Sequence, residues 1–598
     1  MFIWDKGDLN PAQEKAIEQS GSVFLAACPG SGKTRTLTYK IARLLSELES
    51  GKKRVLAITY THRAADEIHE RIEQLGVDTS QLWIGTIHAF CLEWILRPYA
   101  IYHPTLQHGF RVINGHDTEQ MLDALCSSVT TTRLTSHDCG YYATPTGFKL
   151  TCRDTGKQEA IKKVLKEYWR GLRTNRQLDF ELILSYSHQM IQRHSPISTL
   201  LGSIFSCVMV DEFQDTRKIQ YEILAAILKA SKAQATAFIV GDPNQAIYGS
   251  LGGYAISAEE FGRLSGLAFT AMELSDNYRS SSRIVGYFGN YNVLTSKSVA
   301  VGPAKDFPSL VSFDSCTRRD ALEAELVRLI RYNIEVLGIA PQEVCIVAPW
   351  WAHLASMTRR LATVLPEYTF DGPGMVPFAR DTDNFWYKLA RIILTQASPP
   401  LFVRRMRWAG EVLAGLRDAG VEADGLEGKT LLRICNSIVI DETDGLTFLR
   451  EAFEAIFLKI GIDWRTNESL REHHEAFFDS SQRRIDRLVR EGSEAIAEVA
   501  LFRRVFAGQR GITISSIHGV KGAEYDTVIA FGLLEDMVPN FNEVEPIDAA
   551  KKLLYVIASR ARKNLHLISE RGRSRRRGPD YEPTKVLLQC VFSYDSVP

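Results

Sequence analysis

A short loop of small and cationic residues between an apolar run and a helix limits this chain more than any other feature. Ser22–Val23–Phe24–Leu25–Ala26 has the composition of a buried strand, and Ala27–Cys28–Pro29–Gly30–Ser31–Gly32–Lys33–Thr34 follows it directly. Ala27 stands where the usual phosphate-binding pattern has its first glycine. Gly30 and Gly32 let backbone N–H groups curl around anionic oxygens, and the helix that opens near Lys33 adds its positive end. A second apolar run, Val208–Met209–Val210, ends in Asp211–Glu212–Phe213–Gln214–Asp215–Thr216. Adjacent carboxylates at the end of a strand, in a chain that also carries such a loop, point to a nucleoside triphosphate with Mg²⁺. Lys33 can then reach the β- and γ-phosphates, and the Thr34 hydroxyl can hold the metal with Asp211. Glu212 is left to orient or deprotonate the attacking water.

The flanking sequence repeats the same alternation. Apolar runs at Val23–Ala26 and Val55–Ile58 are each followed by a helical stretch, Thr34–Leu45 and Ala64–Gln74. That βαβα order predicts a parallel sheet covered by helices. Residues from about 93 to 195 are longer, more helical in pattern and poor in strand signals, and strands resume at Ser206–Val210 and Ala237–Val240. A second α/β segment begins near 273, with a strand expected at Glu343–Ala348. Residues 376–507 are again mainly helical before Gly511–Ile514 and Thr527–Ala530 restore the strand pattern.

Composition narrows the classes. With 598 residues the length prior suggests about four domains. Lys+Arg and Asp+Glu both number 71, so any basic surface must be local. The ten cysteines include no C-x-x-C pair, which speaks against zinc and iron–sulfur sites and for free thiols in a reducing compartment. No apolar run is long enough for a bilayer, so a membrane is not expected and the expected location is cytoplasmic.

The ordered motifs resemble superfamily 1A helicases of the UvrD, PcrA and Rep type, from near the N-terminus to about residue 570. Leu9–Asn10–Pro11–Ala12–Gln13 is similar to the family's adenine-reading segment, in which Gln13 would bond the base edge. The resemblance also implies nucleotide contacts for Gly30, Ser31, Gly32, Lys33, Thr34 and Arg35. Ile58–Thr59–Tyr60–Thr61–His62–Arg63 resembles motif Ia and Gly85–Thr86–Ile87–His88–Ala89–Phe90 motif Ib. Both mix hydroxyls and rings with positive charge, a combination suited to phosphates and stacked bases. Thr59, Tyr60, Thr61, Arg63, Thr86 and His88 are therefore expected on the DNA. Val240–Gly241–Asp242–Pro243–Asn244–Gln245–Ala246–Ile247–Tyr248 is similar to motif III, with Gln245 sensing the γ-phosphate and Tyr248 stacking on a base. Asn277–Tyr278–Arg279–Ser280 matches motif IV, which implies Tyr278 against adenine and Arg279 against the γ-phosphate. Ser516–Ile517–His518–Gly519–Val520–Lys521–Gly522–Ala523–Glu524–Tyr525 resembles motif V, placing His518 and Lys521 on DNA and Glu524 at the nucleotide. Leu554–Tyr555–Val556–Ile557–Ala558–Ser559–Arg560–Ala561 resembles motif VI, with Arg560 as arginine finger.

The resemblance implies an α/β fold with two RecA-like parallel-sheet P-loop NTPase cores, each with a mainly helical insertion. Core 1A would take residues 1–92 and 196–272, insertion 1B residues 93–195, core 2A residues 273–375 and 508–570, and insertion 2B residues 376–507. An Arg-rich tail, 571–598, would follow, either meeting phosphates or lying solvated. ATP and Mg²⁺ are the implied cofactors. Single-stranded DNA and duplex junctions are the implied partners, and the implied activity is 3′→5′ translocation with unwinding in repair, recombination or phage defence. The chain departs from the family in motif III, where Gly249–Ser250–Leu251–Gly252 lacks the second stacking ring and an arginine. Tyr254 or Trp350–Trp351 would be the substitutes. That departure is the ground for an alternative, a DNA-stimulated ATPase that regulates a partner nuclease, as in Gabija-type defence. A third class, a module holding ATP as a structural ligand, would need none of Glu212, Gln245, Arg279 and Arg560.

Overall fold

The computed structural model describes residues 2–130, 132–372, 376–378, 381, 384–423, 425–490, 494–506, 511–575 and 578–597, without the side chains of 351–353, 400, 494 and 495. Two compact units are distinguished: one of residues 1–113, 118–319 and 520–598, and one of 114–117 and 320–519.

In the first unit, six parallel strands form one sheet: β1 (Ser22–Ala27), β2 (Arg54–Thr59), β3 (Leu82–Thr86), β4 (Phe205–Val210), β5 (Thr236–Gly241) and β6 (Phe269–Leu274), in the order β6-β1-β5-β4-β2-β3. Its register sets Val23 against Phe238 and Ile58 against Val210. Strand side chains alternate between the faces. Val23, Leu25, Val55 and Ala57 enter the cluster that contains Leu37, Ile41 and Ile68 from the helices α2 (Lys33–Glu47) and α3 (His62–Gln74). Phe24, Leu56 and Ile58 face the other way, into a cluster with Phe90, Ile161, Tyr168 and Ile183 from the segment between β3 and β4. Both faces of the central strands are thus covered, which is why they read as continuous apolar runs.

That long segment is mainly helical, with the helices Gly115–Ser127, Thr155–Thr174, Phe180–Arg193 and Ser195–Ile204. It also holds an antiparallel hairpin, Tyr141–Thr144 with Gly147–Leu150, that the strand-poor sequence did not announce. The first unit further contains the parallel strands Val311–Asp314, Ala561–Ile568 and Tyr525–Ala530. The second unit has its own parallel strands, with Ile512–Ser516 pairing both Val344–Ala348 and Phe370–Asp371. Its helices from Phe385–Leu394 to Val499–Arg504 enclose an aromatic-rich core around Trp386, Phe453 and Phe477. The α/β class with parallel sheets is therefore the one observed. No helix among the described residues is long and apolar enough to cross a membrane, and the ten cysteines are free thiols.

The arginine-rich stretch near the C-terminus is engaged within the first unit. Arg573 is buried on Glu570, Arg571 donates to the Ser315 carbonyl at 2.7 Å, and Arg575 pairs with Asp536 at 2.5 Å. The buried Arg573 departs from the solvated-tail expectation, while Arg571 is exposed and Arg575 half-buried. Arg576 and Arg577 lie outside the described residues.

Candidate nucleotide site and nucleic-acid interface

The loop between β1 and α2 is fixed by partners on its carbonyls. Pro29 O accepts from the Asn277 amide at 2.7 Å, Gly30 O from the Tyr278 N–H at 2.9 Å, and Ser31 O from the Gln13 amide at 2.9 Å. Cys28 O accepts from the Ser31 hydroxyl at 2.7 Å. The Cys28 N–H is also taken, by Leu274 O at 3.0 Å, and the Ser31 N–H by Cys28 O at 3.3 Å, so an anion would be met by the N–H groups from Gly32 onward, at the start of α2. Gly30 and Gly32 have φ of +68° and +80°. A Cβ on Gly30 would lie 2.6 Å from the Arg279 Cβ, and one on Gly32 would lie 2.5 Å from the Gln13 amide nitrogen. Both glycines are required by conformation and by space.

Gln13 is buried, and its amide is committed on both ends. It donates to Ser31 O and accepts from the Asn10 N–H at 3.0 Å, the latter as the N3 member of a capping box on the helix α1 (Pro11–Glu18). Asn10 in turn donates to the Tyr278 hydroxyl at 2.8 Å and to Asp276 at 3.0 Å. Tyr278 keeps an exposed ring beside this corner. Arg35, exposed on the first turn of α2, reaches Asp8 at 3.3 Å.

At the end of β4, the Asp211 N–H continues the sheet to Ile58 O, and one Asp211 oxygen accepts from the Glu212 N–H at 3.0 Å. Glu212 sits at φ +53°, ψ +51°, a left-handed conformation that a non-glycine residue adopts at a cost. Its carboxylate accepts from the Gln214 amide, whose own oxygen accepts from the Asp242 N–H at 3.0 Å. Burial and the Glu212 charge push the Asp211 carboxyl up. Burial also acts to raise Glu212, but Lys33 and Lys521 outweigh it and hold that carboxylate down. A buried carboxylate raised in this way, with the Thr34 hydroxyl at the start of α2, is an oxygen donor set suited to a hard divalent cation that keeps phosphate and water ligands. Among the described residues no group of three or more His, Cys, Asp and Glu could hold a metal, so such a cation would need the nucleotide oxygens as well.

Residues from the C-terminal motifs close over this point. Arg560 is fully buried, and it donates to the Gln245 side-chain oxygen at 2.9 Å and the Ala523 carbonyl at 3.3 Å. Burial, helped by repulsion from Arg279, lowers its guanidinium to about 9. Arg279 pairs with Glu524 at 2.6 Å and donates to the Ser559 carbonyl at 2.9 Å. Burial raises Glu524, yet Arg279 and Arg562 prevail and lower it. Lys521 is half-buried, pairs with Asp215 at 2.5 Å and donates to the Gln245 carbonyl at 2.7 Å. Its ammonium also lies 5.4 Å from the centre of the Tyr248 ring. Burial raises the Asp215 carboxyl to about 7 even against the opposing Lys521 charge.

Tyr248 packs on Tyr60, ring centres 5.1 Å apart and planes 32° apart. Tyr60, Thr61 and Arg63 are exposed. Thr61 and Thr86 cap the helices that follow β2 and β3, and the buried Thr59 hydroxyl donates to Thr61 O at 3.0 Å. The His88 ring stands edge-on to Phe180 at 5.6 Å, with its Nε2 buried and without a hydrogen-bond partner among the described residues. Burial, with repulsion from Arg217, lowers it to about 3, so the ring is neutral. His518 belongs to the second unit, in the turn after Ile512–Ser516. Of the aromatic substitutes expected from the sequence, Tyr254 is tied to Glu260 at 2.5 Å, Trp350 precedes a helix of the second unit, and the Trp351 side chain lies outside the described residues.

Sequence reasoning assigned no role to Asn10, Gln214, Asp215, Asp242, Asn277 or Tyr555. All lie inside the quoted motifs. Asp242 is buried and accepts from the Gln245 amide at 2.8 Å and the Tyr555 hydroxyl at 3.2 Å. Only Asn10 carried a separate signal, the Asn-x-x-Gln spacing of a capping box.

The profile of the UvrD/REP helicase N-terminal domain matches residues 9–257, and that of the UvrD-like helicase C-terminal domain matches residues 498–572. Among individual proteins, the chain is 29% identical to the ATP-dependent DNA helicase UvrD1 of Mycobacterium tuberculosis (strain ATCC 25618 / H37Rv) over 297 residues, 46% of this chain and 38% of that protein. It is 31% identical to the ATP-dependent DNA helicase PcrA of Staphylococcus aureus (strain NCTC 8325 / PS 47) over 289 residues, 46% and 39% of the two chains. Against both, the match spans well under half of the relative's length. A DNA helicase II homolog of Rickettsia conorii (strain ATCC VR-613 / Malish 7) is 24% identical over 660 residues, 98% of this chain and 95% of that one. The two profiles fall in family order over more than half of the 598 residues, and the motifs they contain converge on one buried network. The chain belongs to the UvrD/REP family of superfamily 1A helicases.

Proposed function

We propose that this chain is an ATP-driven motor that moves 3′→5′ on single-stranded DNA and separates duplex strands. The observation that carries the reading is one continuous set of contacts, Arg560 to Gln245, Gln245 to Lys521, and Lys521 to both Asp215 and the Tyr248 ring. Groups suited to sense a γ-phosphate are thereby linked, through Lys521, to a ring suited to stack on a base.

In this reading Lys33 and the loop amides hold the triphosphate, and Thr34 and Asp211 hold Mg²⁺, which would neutralise charge on the phosphate oxygens. Glu212 aligns the attacking water. Arg279 and Arg560 stabilise the charge that develops on the transferred phosphoryl group. Gln13 acts by bracing the loop and the Asn10–Tyr278 corner, beside which the base would lie, with Arg35 and Glu524 at its margin. Tyr60, Thr61, Arg63, Thr86 and Tyr248 form the track, and Thr59, His88, His518 and Lys521 are assigned to the strand by their motifs. Core 1A is assigned to 1–92 and 196–272, insertion 1B to 93–195, core 2A to 273–375 and 508–570, and insertion 2B to 376–507.

Tailed duplexes test this reading. With ATP and Mg²⁺, a 3′-tailed duplex should be displaced and a 5′-tailed one of the same sequence should not. Equal displacement of both would refute the direction. Hydrolysis without displacement of either would favour a DNA-stimulated ATPase that acts on a partner.

A further inference from the structure

Motif III of this chain has Ser250 and Leu251 where the family carries a second stacking ring and an arginine, and Leu251 is exposed. At the next residue, Gly252, an aromatic ring arrives from elsewhere in the fold. The hairpin Tyr141–Thr144/Gly147–Leu150 brings the Tyr142 ring against Gly252, where a Cβ would lie 2.8 Å from its Cδ2 and Cε2. Gly252 has φ +91°, so conformation and contact both exclude a side chain there. The Arg217 guanidinium lies 5.7 Å from the Tyr142 ring centre, and the Arg217 backbone forms a bridge with Gly253.

The hairpin is positioned firmly. Arg217 makes two bonds to Glu181, at 2.7 and 2.8 Å, and the same carboxylate accepts from the Ala143 N–H at 2.8 Å. Neighbouring strand residues point to opposite faces. Tyr141 therefore turns inward, its hydroxyl bonded to the buried Asp179 and accepting from the Trp169 indole at 2.9 Å, while Tyr142 turns to motif III. Phe148 stacks on Trp169 at 4.9 Å. The result is a half-buried ring with a cation 5.7 Å from its centre, packed on Gly252 of motif III, whose neighbour Gly253 donates its N–H to the Tyr248 carbonyl at 2.9 Å.

We infer that Tyr142, held by Arg217 and Glu181, is an additional stacking platform for a base of single-stranded nucleic acid, in place of the ring absent from motif III. The inference rests on the motor reading above. An aromatic face next to a fixed guanidinium suits any base, because every base has a π-face and stacking does not depend on sequence. Arg217 is a positioning residue here, since its bonds to Glu181 occupy it.

Binding of labelled oligo-dT to the full chain tests it, with Y142L, Y142F and Y248L compared against the unmodified protein across a salt series. Loss of one stacked base corresponds to roughly a five- to 150-fold weaker Kd. Y142L should show that loss, Y142F should bind within about twofold of the unmodified chain, and the salt slope of Y142L should be unchanged because no phosphate contact is removed. A 2-aminopurine in the oligomer should lose less fluorescence on Y142L than on Y142F. Y142L binding like the unmodified protein while Y248L is weakened would overturn the inference and leave the motor reading standing. Equal weakening by Y142F and Y142L, or a salt slope reduced by about one, would also overturn it, because the ring would then serve only packing or a phosphate contact. If the unmodified chain does not bind oligo-dT, the motor reading itself falls.

Discussion

Glu212→Gln is expected to lower ATP turnover by roughly 100- to 10,000-fold, the usual contribution of a positioned general base, while ATP still binds. The side chain stands directly after Asp211 at the end of β4, in a left-handed conformation that its surroundings enforce. Lys33 and Lys521 overcome the effect of burial and keep its carboxylate charged, the state in which it can accept a proton from water. The amide of the variant is nearly isosteric but cannot take that proton. Phosphate release measured with single-stranded DNA, alongside titration with a fluorescent ATP analogue, separates the two effects. Turnover at the unmodified rate would remove Glu212 from its assigned role.

Arg560→Ala should cost at least as much. An arginine finger, the role proposed for Arg560, contributes roughly 1,000- to 100,000-fold to phosphoryl transfer, and this side chain has a further structural part. Its truncation leaves the buried Gln245 oxygen without its donor, at about 1–3 kcal/mol for a group so stranded, and removes the bond to the half-buried Ala523 carbonyl. Thermal unfolding should therefore shift downward together with the loss of turnover. Arg560→Lys should restore part of the stability and little of the rate, since an ammonium cannot reproduce the planar fork that meets Gln245, Ala523 and Ser559 together. Recovery of turnover by lysine would show that charge alone suffices at this position.

Much of the first unit was legible because its chemistry is local. Strands buried on both faces read as unbroken apolar runs, and the expected Val55–Ile58 and Ala237–Val240 match the observed Arg54–Thr59 and Thr236–Gly241 to within a residue or two. The hairpin at Tyr141 stayed hidden because its strands are four residues long, with exposed residues at Gly147 and Lys149 that dilute any apolar period. Side-chain partnerships across the chain were hidden for a different reason. Lys521 meets Asp215 306 positions away and Arg560 meets Gln245 315 positions away, and no local pattern records such a pairing. The motif V resemblance implied a DNA contact for Lys521, and nothing local in the sequence recorded that its ammonium meets the Asp215 carboxylate. Likewise Gln13 looked free to read a base edge, whereas its amide braces Ser31 and caps α1. Residue types and their order were readable at these positions, but what each side chain is bonded to was not.

If the nucleotide site and the base-stacking surface act as one network through Gln245 and Lys521, a strand bound at one must change hydrolysis at the other. Steady-state ATP hydrolysis with and without single-stranded DNA tests it most directly. Hydrolysis should be slow alone and strongly stimulated by the strand, since a base on Tyr248 acts on Lys521 and through it on Asp215 and Gln245. Equal hydrolysis in the presence and absence of DNA would contradict the account.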